Sequence, residues 1–240
     1  SYPGPAMSGG DLSVAADAEG ADPTRLDRAR YGVYPPGSSF KIVTASAALR
    51  KDPALLHRTF LCERLPDGRV GQRVRGWSRP IRDDPEDTIP HGTIDLERGL
   101  VVSCNAYFAQ LGLHIGAQAL QDTAHLFEIP LGQPETPNLL RDTLPFAAYG
   151  QGQVLVTPFK MARVAATIAA GGSMPQGRWV IDESNRRMDA LRPVLPASVA
   201  QAVGRMMRQV VVDGTGRSLR PIEPAVAGKT GTAEVQGEPS

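Results

Sequence analysis

Lysine is nearly missing from this 240-residue chain: four lysines stand against 22 arginines. Cysteine is scarcer still, with only Cys62 and Cys104. Two thiols make one disulfide or none, which excludes a small disulfide-stapled scaffold. No metal-ligand spacing such as Cys-x-x-Cys or His-Glu-x-x-His occurs, so no metal site is expected. No apolar run approaches the length of a membrane span, and no signal peptide is visible. A net charge of +1 leaves no basic patch for nucleic acid, which excludes that class of partner.

What is present is ordinary in bulk. Hydrophobic residues make up 41% of the chain and charged residues 21%, as in soluble globular proteins. A chain of 240 residues can bury a sizeable core, as one large domain or two small ones. The 25 glycines and 21 prolines require many turns and long loops.

Along the chain, residues 1–30 are rich in Gly, Ala and Asp and read as a surface segment. Pro35-Pro36-Gly37 stops regular structure, and residues 38–49 then read as a helix buried on every side. Residues 51–92 read as irregular, with "RGWSRPIRDDPEDTIPHG" a long loop. Residues 100–113 form a second uncharged helical run, 116–128 an amphipathic helix, and "GQPETPN" a loop. Pro158 and Gly171-Gly172 bracket another helix, and residues 196–216 carry one more, ending at Gly214. The Gly-punctuated "AVAGKTGTAEV" is strand-like. A helical middle with its strand signal at the end predicts an α+β fold.

Three short stretches carry possible chemistry. Lys41 is the one charge between Arg30 and Arg50, three residues after Ser38. On a helix such residues share a face, and apolar surroundings lower a lysine's pKa toward a proton-accepting range. A serine beside such a base becomes a nucleophile. The plain alternative is an N-cap serine followed by a snorkelling lysine. Ser103-Cys104-Asn105 puts polar groups inside the second uncharged run, where they face a common cleft or are satisfied as an ordinary buried helix start. Lys229-Thr230-Gly231-Thr232 offers an amine and two hydroxyls to a carboxylate, with Gly231 leaving room for a substrate backbone. An edge strand protected by a lysine is the alternative there. A phosphate loop is excluded, because Glu223 stands where that loop needs glycine.

The ordered set Ser38-x-x-Lys41, Ser103-x-Asn105 and Lys229-Thr230-Gly231 resembles the triple motif of penicillin-binding proteins and serine β-lactamases. The flanking "YPPGSSFKIVTASAAL", "HGTIDLERGLVVSCNAYFAQLG", "YGQGQVLVTPFKMARVAATIAAGG" and "AGKTGTAE" narrow it. They resemble the transpeptidase domain of monofunctional (class B) penicillin-binding proteins from "SYP" to "KTGTAE". The resemblance implies that family's α+β fold, an α-rich subdomain plus an antiparallel sheet, with residues 1–240 as one transpeptidase domain. Members carry further strands before and after these positions, so the domain is expected to be partial at both ends.

The same resemblance implies a peptidoglycan D,D-transpeptidase. Ser38 would attack the carbonyl between two terminal D-alanines, Lys41 would take its proton, and Ser103 would pass a proton to the leaving D-alanine. Asn105 would hold Lys41 and the substrate amide. Lys229, Thr230 and Thr232 would bind the terminal carboxylate beside Gly231, and the N–H groups of Ser38 and Thr232 would form the oxyanion hole. Implied partners are stem peptides ending in D-Ala-D-Ala, β-lactam antibiotics and a membrane glycosyltransferase. No metal, organic cofactor or nucleic acid is implied. The implied location is the extracytoplasmic face of the bacterial inner membrane, with an anchor outside this sequence. A β-lactamase, a D,D-carboxypeptidase or a β-lactam sensor domain would share the motifs; the Gly150-Gln151-Gly152 and Thr157-Pro158 block favours the transpeptidase. Glu135-Thr136-Pro137-Asn138 is one residue short of the Glu-x-x-x-Asn loop that drives hydrolysis in class A β-lactamases.

Overall fold

The computed structural model describes residues 27–131, 137–178 and 191–232. The surface segment expected at the start lies outside the described residues up to position 26, as does "GQPETPN" over residues 132–136. At the centre is α1 (Lys41–Lys51), entered through a 3-10 turn over Gly37–Phe40. Every side chain from Lys41 to Leu49 is buried, as the uncharged run predicts. Ala45, Ser46, Ala47 and Ala48 are small enough to admit close neighbours. α1 packs against α3 (Asn105–Ile115), α4 (Ala117–Leu126) and α7 (Ala197–Asp213). Its hydroxyls are satisfied in place: Thr44 donates to the Ala148 carbonyl at 2.7 Å and Ser46 to the Ile42 carbonyl at 2.8 Å, as burial requires.

The run expected to be one helix over residues 100–113 is two. α2 (Leu96–Val101) is capped by Asp95, whose carboxylate accepts from the Arg98 N–H at 2.9 Å. The chain then turns through Val102, Ser103 and Cys104, with Ser103 at φ 61, before α3 begins. Apolar periodicity misses this break because residues on both sides of it, Leu100 and Ala106 among them, face the same core. Cys104 closes the turn: its sulfur accepts from the Tyr107 N–H at 3.2 Å and caps α3.

The second correction concerns residues 51–92. They hold three strands of a four-stranded antiparallel sheet in the order β3-β2-β1-β4, whose fourth strand starts at Gly92. Its strands are β1 (Phe60–Arg64), β2 (Val70–Gln72), β3 (Ile81–Arg82) and β4 (Gly92–Ile94). Leu61 faces Thr93, Cys62 faces Gly92, and Gly71 lies between Glu63 and Arg82. Strands of two to five residues are too short for alternation to register.

α5 (Pro137–Ala147) takes in the last two residues of the expected loop. α6 (Pro158–Ala169) starts on Thr157, whose hydroxyl accepts from the Lys160 N–H at 3.3 Å, and ends at Gly171-Gly172 as expected. A two-stranded ladder, β5 (Ser173–Met174) with β6 (Arg192–Pro193), follows. The strand-like stretch after α7 joins no sheet over residues 225–232; residues 233–235 lie outside the described residues. It is held to α7 instead, by the Gly228 N–H on the Met207 carbonyl at 3.2 Å and by Arg208 on the Val226 carbonyl at 2.8 Å. Composition marks a segment able to pair, and pairing needs a neighbouring strand. The fold is α+β, and no described helix is long and apolar enough to cross a membrane.

Candidate active site

Residues 37–41 are shaped by a glycine contact. Gly37, at φ 53, donates its N–H to the Gly150 carbonyl at 3.0 Å, and Gly150 itself sits at φ 82. A Cβ on Gly150 would stand 2.0 Å from the Gly37 carbonyl oxygen, so only glycine permits this approach. Because a 3-10 turn has three residues per turn, side chains at i and i+3 eclipse. Ser38 therefore lies directly over Lys41, with Oγ 3.0 Å from Nζ.

Lys41 is fully buried. Its Nζ lies within hydrogen-bonding distance of four oxygens, Ser38 Oγ, the Ser103 carbonyl at 2.5 Å, Ser103 Oγ at 3.2 Å and Asn105 Oδ1 at 2.7 Å, and donates to no more than three of them. The rings of Phe108 and Tyr149 lie 5.5 and 5.9 Å from it. Burial pulls its pKa from 10.5 to about 8, against the opposing pull of nearby acidic groups, Asp83 among them. An amine that titrates near working pH is thus in contact with a hydroxyl, the pairing that base-assisted attack by a serine would require.

The break between α2 and α3 supplies the second pair. The positive φ of Ser103, uncommon for a residue with a side chain, turns both its carbonyl and its hydroxyl onto Lys41. Asn105, first in α3, accepts from Lys41 through Oδ1 and donates through Nδ2 to the Arg82 carbonyl at 3.1 Å. The sheet thereby fixes which end of the amide faces the lysine.

The third motif closes the site. Lys229 Nζ donates to the Ser103 hydroxyl at 2.7 Å and to the Thr230 carbonyl at 3.0 Å. Burial first, and then the charge of Lys41, lower the Lys229 pKa from 10.5 to about 7. Thr230 shares a 2.6 Å hydroxyl–hydroxyl bond with Thr215. A Cβ on Gly231 would meet the Pro36 carbonyl at 3.2 Å and Ser39 N at 3.5 Å, so this backbone runs close along the Ser38 turn. Thr232 is exposed at the end of the segment.

Ser38, Lys41, Ser103, Asn105 and Lys229 therefore form one hydrogen-bonded chain, with Thr230 one bond beyond. Sequence reasoning missed the flanking rings of Phe108 and Tyr149, the Gly37–Gly150 contact and the role of Thr215. It also missed a group behind the Ser103–Asn105 turn. The ligand-type atoms of Cys62, Asp83, His91 and Cys104 all lie within 4.8 Å of one another. Taken as protein groups alone, burial disfavours the Asp83 carboxylate, yet bonds from His91 and the Ala106 N–H hold its pKa below the usual range. Asp83 and Asp87 in turn push the His91 pKa up to about 11. These four residues come from separate elements, so no short spacing announces them.

A serine over a buried lysine, linked through a second serine to a second lysine, defines a serine acyl-transfer type of site. Residues 8–240 match the penicillin binding protein transpeptidase domain, and the chain belongs to that family. It is 28% identical over 239 residues to the peptidoglycan D,D-transpeptidase PbpA of Mycobacterium tuberculosis, covering 89% of this chain and 46% of the relative. It is 32% identical over 211 residues to penicillin-binding protein 1B of Escherichia coli, covering 82% and 23% respectively. Among solved structures, penicillin-binding protein A from M. tuberculosis as a penicillin G acyl-enzyme superposes with a TM-score of 0.65 at 27% identity. That match covers 85% of this chain and 48% of the other. The D,D-transpeptidase domain of a peptidoglycan glycosyltransferase from Eggerthella lenta gives 0.71 at 26% identity, covering 88% and 57%. The chain spans about half the length of the PbpA relatives it matches.

Proposed function

We propose that this chain is the catalytic part of a peptidoglycan D,D-transpeptidase that is also acylated by β-lactams. The observation that carries the reading is the 3.0 Å contact between Ser38 Oγ and a fully buried Lys41 whose pKa is lowered to about 8. In the acylation step Ser38 Oγ attacks the carbonyl between the two terminal D-alanines of a stem peptide, and its proton passes to the neutral amine of Lys41. The Ser103 hydroxyl, bonded to Lys41 and Lys229, hands its proton to the departing D-alanine nitrogen and takes in exchange the proton that Lys41 received from Ser38. Lys229 and Thr230 hold the terminal carboxylate, with Thr232 beside them. The N–H groups of Ser38 and Thr232 stabilise the oxyanion, and Asn105 orients Lys41 and the substrate amide. An amine from a neighbouring stem peptide then takes the acyl group from Ser38.

By this reading the domain works at the extracytoplasmic face of the bacterial inner membrane, beside a glycosyltransferase that supplies the glycan strands. The relatives named D,D-transpeptidases and the acyl-enzyme structures support the transpeptidase chemistry and the acylation by β-lactams. The test is labelling of the complete protein with a fluorescent penicillin, followed by peptide mapping. One adduct on Ser38, lost in Ser38→Ala, is expected; an adduct elsewhere with Ser38 untouched rejects the mechanism. Intact-mass measurement over hours separates the rival hydrolytic reading. A transpeptidase keeps its penicilloyl adduct, whereas a β-lactamase sheds it.

A further inference from the structure

We propose that Cys62, Asp83, His91 and Cys104 form a four-coordinate site for a zinc-class divalent cation that locks the Ser103–Asn105 turn to the small sheet. The first observation is geometric. Metal–ligand bonds of about 2.0–2.3 Å in a tetrahedron separate neighbouring ligand atoms by about 3.3–3.8 Å. Here Cys62 Sγ lies 3.3 Å from Asp83 Oδ2 and 3.6 Å from His91 Nδ1, and His91 Nδ1 lies 3.1 Å from Asp83 Oδ2. Cys104 Sγ is within the same 4.8 Å sphere. These are already close to the edges of a coordination tetrahedron.

The second observation is burial. Cys62 and Cys104 are wholly inaccessible, Asp83 nearly so, and the His91 side chain is 13% exposed. Four groups of this kind gathered away from water are unlike the solvated acidic clusters of protein surfaces. Both cysteines are free thiols.

The third is the outer layer, which in metal sites orients the ligands. The free oxygen of Asp83 accepts from the Ala106 N–H at 2.9 Å, and Cys104 Sγ accepts from the Tyr107 N–H at 3.2 Å. His91 Nε2 lies 3.8 Å from Asp87 Oδ1, a charge contact that places a carboxylate beside the ring nitrogen turned away from Asp83. Two thiolates, one imidazole and one carboxylate are a borderline-soft set that selects zinc over magnesium or calcium. Binding one dication by two thiols, a histidinium and the carboxylate releases three protons and needs no oxidant or reductant.

The placement gives the site its purpose. Cys62 is on β1, Asp83 follows β3, His91 precedes β4, and Cys104 stands between Ser103 and Asn105. A cation here ties three points of the sheet to the residue on which the turn pivots. The short sheet strands and the positive φ of Ser103 are the features that such a tie would hold in register.

The test uses the complete protein, purified without a polyhistidine tag in a non-chelating reductant, with zinc measured by inductively coupled plasma mass spectrometry. About one zinc per chain is expected, falling below about a tenth in Cys62→Ser and in His91→Ala. Because either variant could fold poorly, wild-type protein is also stripped with a chelator and titrated with cobalt(II). The intense visible bands of tetrahedral cobalt–thiolate should saturate at about one equivalent. Stripping should slow penicillin acylation at least about tenfold, with added zinc restoring it. Wild-type protein that neither carries nor retains zinc overturns the site, as does octahedral cobalt or a Cys62–Cys104 disulfide recovered by peptide mapping. Unchanged acylation in stripped protein overturns the positioning role.

Discussion

The hydroxyl of Ser103 lies 3.2 Å from Lys41 Nζ and 2.7 Å from Lys229 Nζ, so one oxygen joins the amines of the first and third motifs. Two ammonium groups sharing one partner repel, and the Lys229 pKa is lowered partly by Lys41. The two lysines therefore titrate as a linked pair. Ser103→Ala removes the link without touching Ser38. Acylation should slow by about 10²–10⁴-fold, the usual worth of a positioned proton carrier, with little change in thermal midpoint. Stopped-flow measurement with a chromogenic cephalosporin reads the rate. A loss of less than about twofold would show that the proton travels another way.

In the proposed mechanism the pH dependence of acylation is set by the same pair. Lys41 accepts a proton only when neutral, a form that grows as pH rises toward about 8. Lys229 attracts a carboxylate only when charged, a form that falls as pH rises through about 7. The rate should therefore follow a bell with its maximum between these values. A substrate whose terminal carboxylate is converted to an amide should lose the alkaline limb and keep the acid one. An alkaline limb that persists with the amide would assign it to another group.

Gly150 and Gly152 offer a matched comparison. Both have positive φ, 82° and 72°. A Cβ on Gly150 would clash with backbone at 2.0 Å, whereas one on Gly152 meets nothing nearer than 3.5 Å. Gly152→Ala should cost only backbone strain, about 1 kcal/mol, and leave labelling of Ser38 intact. Gly150→Ala must also push the Ser38 turn away, and should abolish most labelling as well as lowering stability. Urea unfolding with penicillin labelling of both variants makes the check, and equal behaviour would remove the Gly37–Gly150 contact from the account.

Much of this site can be read from residue identity because its logic is local. Ser38 and Lys41 sit one turn apart, and a lone lysine in an uncharged run signals a burial that some partner must offset. The helices α4, α6 and α7 were legible for the same reason: their apolar stripes and their Pro and Gly boundaries are properties of contiguous residues. The sheet was not, because strands as short as Ile81–Arg82 carry no periodicity. Nor was the turn at Ser103, since an apolar run looks the same whether it is one helix or two that share a core. The Cys62–Asp83–His91–Cys104 group depends on how β1, β3, β4 and α3 come together. Only the fold assembles it.

Stability should register the buried lysine as well as activity. The folded-state pKa of Lys41 is depressed, about 8 against 10.5, so between these values the unfolded chain binds more protons than the native one. Stability then rises with pH across that window, and below about 8 the penalty of a buried ammonium is fully present. At about 1.4 kcal/mol per pH unit the difference approaches about 3 kcal/mol. Lys41→Met removes the titration while keeping an unbranched apolar stem. It also deprives the Ser103 carbonyl and Asn105 Oδ1 of a donor, a cost that does not vary with pH. The stability of wild type relative to Lys41→Met should therefore grow as pH rises from about 8 toward 10.5, with no contribution to the pH slope from Lys41 below that window, where it is charged in both states. Urea unfolding of both proteins on either side of the window measures it. Parallel stability curves would mean that Lys41 keeps an ordinary pKa in the folded protein, and the neutral-base mechanism would fall with it.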